Sequence, residues 1–401
     1  MKDRLKRHPV LSGMVMGIFL LSFVACKEII PEDQSLTKEN LLTLMKEWYL
    51  WNDTIPDIDL SGYGSPSAVL EALRLKDIDR WSTIVGSNTV NYLYSNSSIL
   101  SQGFGWTWDD QDALRVGFVY PGSDPDVQGV LRGWQIVMIN GHSVTKNNLD
   151  NLLKDSLDAE NSFTFLTNTG SSQQLTFNNK ILTPECILVS DTFTYASRKV
   201  AYLLMDNFLS QARDEMQARF QELLNWGINE LIIDVRYNSH GVVEISKYLA
   251  NIIAGSLAEK GAYVKYLFND LKVKRNIVLR FDTEAESLTL DRVFFITGKN
   301  TSGAAEVLIN GLSPFIEVLL VGSVTEGKPV GSISHTFPDS TLLPVTYRMV
   351  NRNNEGDYYN GLTPDAMIPD DFSHALGDKE EACLREVLYY INNGSFSTEE
   401  P

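Results

Sequence analysis

Cysteine, histidine and positive charge are scarce in this 401-residue chain, and each scarcity excludes a class of function. Only three cysteines are present, and the five histidines lie far apart without metal-ligand spacing, at His8, His142, His240, His335 and His374. With 34 basic against 51 acidic residues, the net charge of −17 leaves nothing to neutralise a phosphate backbone. We therefore expect no metal, no other cofactor and no nucleic-acid partner.

Long hydrophobic runs are also missing, apart from one near the N-terminus. Four basic residues within the first seven positions precede an apolar run from Val10 to Val24, which ends in Ala25-Cys26. This pattern is typical of a lipoprotein signal over residues 1–26, with Cys26 lipidated and the protein held at a membrane outside the cytoplasm. A plain signal peptide or a single membrane anchor is the alternative, although the run is short for a membrane span.

Two cysteines, Cys186 and Cys383, remain after the signal segment. Export would permit a disulfide between them, because disulfides persist in oxidising compartments. Two buried free thiols fit the sequence equally well. The sequence therefore leaves their pairing open.

The length of the chain predicts two or three domains, because 401 residues exceed one ordinary core. Residues 27–95 predict a small helical domain, in which Thr37 can cap the first helix. Residues 96–190 predict a β-rich domain with a tight turn at Asn140-Gly141. Within that domain we also expect short helices at Val127–Leu131 and Asn147–Leu157.

Residues 191–395 alternate between buried strands and amphipathic helices. Near-continuous apolar runs predict strands at Glu230–Val235, Arg292–Thr297 and Ile316–Val321. Between them, helical spacing predicts helices at Leu209–Trp226, Val243–Ile253 and Ala304–Leu312. We expect a central sheet covered by helices, and a disordered tail after Asn392, with residues 396–401 outside the domain.

The turn from Thr301 to Glu306 lies between a predicted strand and a predicted helix, and Gly327-Lys328 follows the next strand. A helix N-terminus leaves backbone N–H groups free to face a developing negative charge. A lysine of suppressed charge can activate a serine hydroxyl as a nucleophile. The arrangement therefore favours serine–lysine chemistry.

Several ordered motifs resemble the C-terminal processing (tail-specific) proteases, which are serine–lysine peptidases with a PDZ domain. The motifs are Thr301–Glu306, Gly322–Lys328, Asp234–Gly241, Asn360–Asp365 and Leu376–Asp378. The segment near Trp48 resembles exported members from Bacteroidetes. The resemblance implies an N-terminal helical segment, a PDZ-like domain and an α/β protease core of ClpP/crotonase type. Its implied partners are unfolded polypeptides or protein C-termini.

The resemblance also implies roles for individual residues. Lys328 takes the position of the base, whereas the nucleophile position, three places before Glu306, is occupied by Gly303. The oxyanion region corresponds to Ala304, Gly241 and His240, and His240 stands where the family has glycine. Peptide C-termini would be received by the loop Gly103-Phe104-Gly105.

Three hypotheses follow from the missing nucleophile. Gly303 has made the protein a pseudoprotease that only binds peptides, or Ser302 has replaced the nucleophile and works with Lys328. The third hypothesis pairs Ser302 with His240. A one-residue shift demands local rearrangement, because a displacement of about 1 Å can reduce a rate roughly a hundredfold.

Overall fold

A computed structural model describes residues 35–86 and 98–397 of the chain. The predicted signal segment with Cys26, and the last four residues of the predicted tail, lie outside the described residues. No helix in the described part of the chain combines the length and the apolar character that crossing a membrane requires.

The first described unit is helical, as predicted. It contains α1 (Lys38–Trp48), α2 (Pro66–Leu73), two short 3-10 helices at Asn52–Thr54 and Leu60–Gly62, and the strand β1 (Thr83–Gly86). The hydroxyl of Thr37 accepts a hydrogen bond from Asn40 N at 3.0 Å, which caps α1. Leu41, Met45 and Trp48 are buried on one face of α1.

The second unit, which we call the β-rich unit, extends from β2 to β9. Its strands are β2 (Ile99–Ser101), β3 (Phe104–Trp108), β4 (Leu114–Val119), β5 (Gln135–Ile139), β6 (His142–Ser143), β7 (Glu160–Leu166), β8 (Ser172–Asn178) and β9 (Lys180–Leu182). The main sheet has the antiparallel order β3-β4-β5-β7-β8, and β6 pairs with β5. Positive φ angles at Asn140 and Gly141 form the predicted tight turn between β5 and β6.

The two predicted helices of the β-rich unit differ from the observed ones, the first in position and the second in length. Helix α3 (Asp124–Val127) lies earlier than the prediction of Val127–Leu131, and α4 (Leu149–Leu152) is much shorter than Asn147–Leu157. For α3, Pro125 fits the first helical turn and the left-handed Gly129 prevents extension of the helix.

The third unit is the α/β core. Its strands are β10 (Ile187–Tyr195), β11 (Arg198–Met205), β12 (Asn207–Phe208), β13 (Glu230–Asp234), β14 (His240–Gly241), β15 (Ala262–Phe268), β16 (Ile277–Arg280), β17 (Arg292–Thr297), β18 (Glu317–Gly322), β19 (Val330–Ser332), β20 (His335–Thr336), β21 (Ser340–Leu343), β22 (Val345–Val350) and β23 (Ala366–Met367). Its helices are α5 (Ala212–Trp226), α6 (Val243–Ala254), α7 (Ala304–Leu312) and α8 (Ala382–Asn393). Two 3-10 helices are also present: Gly255–Ala258 lies between α6 and β15, and Asp270–Arg275 lies between β15 and β16.

The central sheet has the order β10-β11-β13-β17-β18-β23, and its strands from β11 to β23 run parallel. Helices α5, α6 and α7 bury their apolar faces on one side of this sheet, and α8 packs on the other side. This arrangement confirms the predicted α/β core with a sheet covered on both faces. A second sheet, β16-β15-β22-β19, joins the core, and β1 of the helical unit pairs with β21.

The C-terminal prediction was wrong for residues 393–397. Helix α8 ends at Gly394 in a left-handed cap, the ring of Phe396 lies 4.6 Å from that of Tyr390, and Ser397 N donates to Glu386 at 2.7 Å. A single aromatic contact and one buried carboxylate therefore order a segment that looks polar in sequence. Cys186 and Cys383, whose pairing was open, are both free and buried.

Candidate functional site

The candidate site is built on the turn between β17 and α7. Thr301, which is fully buried, donates its hydroxyl to Val235 O at 2.8 Å and accepts Gly298 N at 2.9 Å. Ser302 N donates to Asn238 O at 2.9 Å. These bonds join the turn to the loop that follows β13, so the two candidate segments predicted from the sequence lie side by side.

Gly303 stands at the N-cap of α7 with φ 57° and ψ −110°. A non-glycine residue is strained in this region of backbone space. A Cβ built on Gly303 meets no atom within 4 Å. The turn therefore has the strained strand-to-helix geometry that exposes a nucleophile in other hydrolases, at a position that carries no side chain.

Glu306, in the first turn of α7, organises the site through its buried carboxylate. It accepts hydrogen bonds from three backbone N–H groups, at 3.0 Å from Gly303, 2.7 Å from Gly327 and 2.8 Å from Lys328. The hydroxyl of Thr325 donates to it as well. Desolvation raises the pKa of Glu306 although these donors favour its charged form.

The sequence interpretation used Glu306 only to align the motif and missed its positioning role. The available signal was a single charged residue within the largely apolar segment Ala304–Leu312. Such a residue is buried in α7 and needs donors from elsewhere, because a buried charge without partners is costly.

Lys328 follows β18 by way of a loop and is half-buried. Its backbone is fixed by Glu306, while its amine takes part in no ion pair or hydrogen bond among residues 35–86 and 98–397. Its positive charge contributes to lowering the pKa of His240. The predicted base position therefore lies beside the predicted oxyanion region.

Ser302 lies next to this position but makes a different set of contacts. Its side chain is only 4% exposed. Among the described residues, no hydrogen bond joins its hydroxyl to the Lys328 amine or to the His240 ring. Its carbonyl accepts Ala305 N at 3.2 Å, so both the N–H and the carbonyl of Ser302 are hydrogen-bonded within the site.

The predicted oxyanion segment His240–Gly241 forms the short strand β14, which pairs in parallel with Asn207–Phe208. Gly241 has φ 120°, and a Cβ there would lie 2.2 Å from Phe208 O. Glycine is therefore required at 241. His240, in contrast, does not adopt a positive φ, so its side chain brings no backbone strain where the resemblance expects glycine.

The imidazole of His240 is accessible to solvent, and its Nδ1 lies 2.9 Å from the hydroxyl of Ser239. Its pKa is lowered by desolvation from the surrounding protein and then by the Lys328 ammonium. The ring thus contacts its sequence neighbour. The proposed pairing of His240 with Ser302 has no hydrogen bond among the described contacts.

Ala304 occupies the first position of α7, where an N–H has no intrahelical acceptor. No backbone or side-chain acceptor for this N–H occurs in the described part of the chain. The amide can therefore face a developing oxyanion or a carbonyl oxygen beside Gly303.

A buried ionic network supports the end of β13. Arg236, which is 3% exposed, donates to Asp234 at 3.0 Å, to Asp370 at 2.7 Å and to Glu381 at 2.7 Å. Arg132 of the β-rich unit also donates to Asp370, at 2.6 Å. Burial opposes ionisation of Asp370, but the two guanidiniums outweigh it and hold its pKa below the usual value. The network fixes the β-rich unit against the core.

Residues of the predicted peptide-receiving loop, Gly103-Phe104-Gly105, already make contacts within the protein. Phe104 is buried in an aromatic cluster and Gly105 faces the ring of Phe118. Gly103 N bonds the hydroxyl of Ser101 at 3.0 Å, and Gly103 O accepts Tyr120 N at 3.0 Å. A cavity of about 290 Å³ nearby, between the β-rich unit and the core, is lined by residues including Trp108, Arg115, Lys299 and Phe372.

Comparison with known proteins gives the family of this chain. Residues 37–83 match the profile described as the Peptidase S41 N-terminal domain, and residues 199–368 match Peptidase family S41. Together the two segments cover just over half of the chain.

Curated relatives are distant in sequence. A protein of Staphylococcus aureus (strain N315) named as a probable CtpA-like serine protease is 25% identical over 259 residues, which are 64% of this chain and 50% of the relative. A Staphylococcus epidermidis protein of the same name is 24% identical over 278 residues, covering 64% and 54%. The chain spans about half the length of these relatives.

Solved structures share the fold. A protein of Bacteroides fragilis NCTC 9343 assigned to the S41 proteases superposes with a TM-score of 0.69 at 23% identity, covering 92% of this chain and all of the other. The photosystem II D1 C-terminal processing protease gives a TM-score of 0.56 at 16% identity, covering 87% and 97%. With both domain profiles matched and this fold, the chain belongs to the peptidase S41 family.

Proposed function

We propose that this protein is an exported, lipid-anchored member of the S41 family that binds unfolded polypeptide segments or protein C-termini without cutting them. The observation that carries the proposal is Gly303. The turn keeps a geometry that would expose a nucleophile, with open space where its side chain would stand, and it supplies no hydroxyl.

The remaining parts of the site support binding of an extended chain. Ala304 offers a free amide, Gly241 presents its backbone and Lys328 offers a half-buried cation. Such groups can hold a peptide carbonyl without a covalent step, because the donors that would stabilise an oxyanion can also hydrogen-bond the carbonyl oxygen of an intact peptide.

The β-rich unit is the second binding element in this proposal, as a PDZ-like domain. Within the described residues, β3 pairs only with β4, so its other edge can receive an added peptide strand. Asn300 donates to Trp106 O at 2.8 Å and occupies one acceptor of that edge. A peptide would therefore pair along the part of β3 nearer to Gly103.

A second candidate function is peptide-bond cleavage by Ser302 with Lys328. It is favoured by the Lys328 amine, which has no partner among the described side chains although its backbone is held by Glu306. In this mechanism Ser302 would rotate into reach of the amine and pass its proton to it while the hydroxyl oxygen attacks the peptide carbonyl. The C–N bond would then break to leave an acyl-enzyme, and the departing amine segment would take the proton from Lys328.

The test uses purified residues 27–401 with an unfolded, fluorescently labelled casein and with a series of labelled peptides. Saturable binding without cleavage supports the proposed function. Cleavage that is lost in both Ser302→Ala and Lys328→Ala establishes the second candidate instead. Cleavage that is lost only with Ser302→Ala indicates another base, and His240→Ala would then identify it. Neither binding nor cleavage would refute both candidates.

The anchor is tested separately in cells that express the full chain. We expect the parent in the membrane fraction, carrying a labelled fatty acid, and Cys26→Ser in the aqueous fraction or uncleaved. Equal labelling of both proteins would contradict the lipid anchor at Cys26.

A further inference from the structure

A hydrogen bond between two buried side chains connects the β-rich unit to the core. Tyr120 follows β4, and Asp206 follows β11. The Tyr120 hydroxyl donates to Asp206 Oδ2 at 2.6 Å, and the two residues are 8% and 3% exposed. The amide of Asn207 donates to the other carboxylate oxygen at 2.8 Å.

This contact lies one short strand away from the candidate site. Tyr120 also belongs to a small hydrophobic cluster with Ile99 and Leu209, so residues on both sides of β12, Asp206 and Leu209, take part in the contact between the two units. Between them lies β12, which pairs with His240–Gly241. Phe208 O also accepts Val242 N at 2.9 Å, so a shift of residues 206–209 would act on the His240–Gly241 segment through these backbone contacts.

The surroundings of Asp206 differ from those of the carboxylates in the ionic network at the end of β13. Asp234 and Asp370 are paired with arginines, whereas Asp206 forms no ion pair among the described residues. The other titratable groups around it are the Tyr120 phenol, the Glu215 carboxylate and the Cys186 thiol, none of which is a cation.

These neighbours are themselves engaged. Glu215 accepts the backbone N–H groups of Cys186 and Ile187 at 2.7 and 2.8 Å, and Cys186 Sγ donates to Asn207 O at 2.9 Å. Burial raises the pKa of Asp206 to about 7, against the lowering effect of the hydrogen bonds from Tyr120 and Asn207. Glu215 adds to the increase.

We propose that Tyr120 and Asp206 form a proton-controlled latch between the β-rich unit and the core, in which Asp206 is a positioning residue for the His240–Gly241 segment. A neutral carboxyl can remain buried against Tyr120. An ionised one, which lacks a cation, gains hydration when the contact opens. The latch is a property of the unliganded chain and does not depend on whether the protein binds or cuts polypeptides.

The direction of the pH effect follows from proton linkage. The carboxyl titrates well above its ordinary value of 3.8 when closed, so the closed state holds a proton that the open state releases. The contact is therefore fully stable at low pH and weakens as the pH rises through about 7. For a group that titrates near 7 when closed and near 4 when open, opening becomes about tenfold more favourable between pH 6 and pH 8.

The test is amide hydrogen exchange by mass spectrometry on residues 27–401 without peptide, at pH 6 and pH 8, after correction for intrinsic exchange rates. In the parent we expect protection to fall about tenfold in segments 114–120, 203–209 and 238–243. The variant Asp206→Asn keeps an oxygen that can accept from Tyr120 but cannot ionise. Its protection in the same segments should therefore be the same at pH 6 and at pH 8. Tyr120→Phe should lower their protection at pH 6.

The matched control is Tyr49→Phe, which removes a tyrosine–aspartate bond of the helical unit, to Asp79 at 2.9 Å, and should leave the three segments unchanged. Equal protection of the parent at pH 6 and pH 8 would overturn the latch, and this outcome needs no variant to fold. A tenfold change that persists in Asp206→Asn would also overturn it, because another group would then be titrating.

Discussion

Gly303 and Gly241 lie on two neighbouring segments of the same site, and their surroundings are opposite. Around Gly303 there is open space, whereas a Cβ on Gly241 would overlap the Phe208 carbonyl. Both have positive φ angles, of 57° and 120°. One glycine therefore marks a place where a side chain fits, and the other marks a place where the backbone must come close.

The contrast separates the scaffold of the site from its chemistry. Buried contacts of Thr301, Glu306 and Arg236 determine where the backbone runs, and they remain complete. A side chain at position 303 would make no packing contact through its Cβ, so the fold does not depend on having one there. If Gly303 stands at the nucleophile position, as we propose, the geometry around that position has been kept without the nucleophile.

The largest expected effect is that of Gly241→Ala, which tests the crowded side of the contrast. Overlap with Phe208 and the unfavourable φ should together lower the free energy of unfolding by about 4 kcal/mol. Urea unfolding followed by tryptophan fluorescence measures this loss. A loss below about 1 kcal/mol would show that β12 and β14 separate easily.

Glu306→Ala tests the scaffold and ranks second. Three backbone N–H groups would lose their acceptor in a buried site, which should lower the free energy of unfolding by about 3 kcal/mol. Glu326→Ala is the matched control, because among the described residues that half-buried carboxylate accepts only the Trp81 indole, at 3.0 Å. We expect about 1 kcal/mol or less for the control, and equal losses in both variants would argue against the role of Glu306.

Two histidines show the same contrast between open and crowded surroundings, and the buried one makes the stability of the protein depend on pH. His240 is accessible, whereas His335 is buried against Trp48 with neither ring nitrogen hydrogen-bonded among the described residues. Burial lowers the pKa of His335 from 6.5 to about 4. As the pH falls, the imidazole of the unfolded chain is protonated before that of the folded chain. The contribution of His335 to the free energy of unfolding is therefore fully present above about pH 6.5 and decreases as the pH falls toward 4.

The expected decrease from His335 between pH 7 and pH 5 is about 2 kcal/mol. It is measured as the difference in pH dependence of unfolding between the parent and His335→Leu. Parallel pH profiles of the two proteins would refute this assignment.

Gly303→Ala tests the open side of the contrast and has the smallest expected effect. Without a steric overlap, only the strained φ and ψ remain, which should cost about 1 kcal/mol of unfolding free energy. A cost as large as that of Gly241→Ala would mean that the space beside Gly303 is closed in solution.

The domain architecture could be predicted from the sequence because it depends on periodic burial. The apolar runs of β13, β17 and β18, and the glycine that ends α5 at Gly227, determine their elements locally. Prediction failed where a few individual contacts determine the local structure. Helix α4 is shorter than the predicted range, and the contact of Phe396 with Tyr390 orders a tail that looks polar in sequence.

The site was predicted only in part, for a related reason. The motif spacing located Gly303, Lys328 and His240 in neighbouring segments. The partners of the Glu306 carboxylate and of Asp206 come from distant parts of the chain, so no local pattern reveals them. Whether His240 strains its backbone could likewise be known only from its φ angle.

The most direct test of the account is digestion of an unfolded casein by the parent, by Gly303→Ser and by Gly303→Ser combined with Lys328→Ala. The account predicts no cleavage by the parent, cleavage by Gly303→Ser, and none by the double variant, because the site lacks only its nucleophile. Cleavage by the parent that disappears in Ser302→Ala would contradict it.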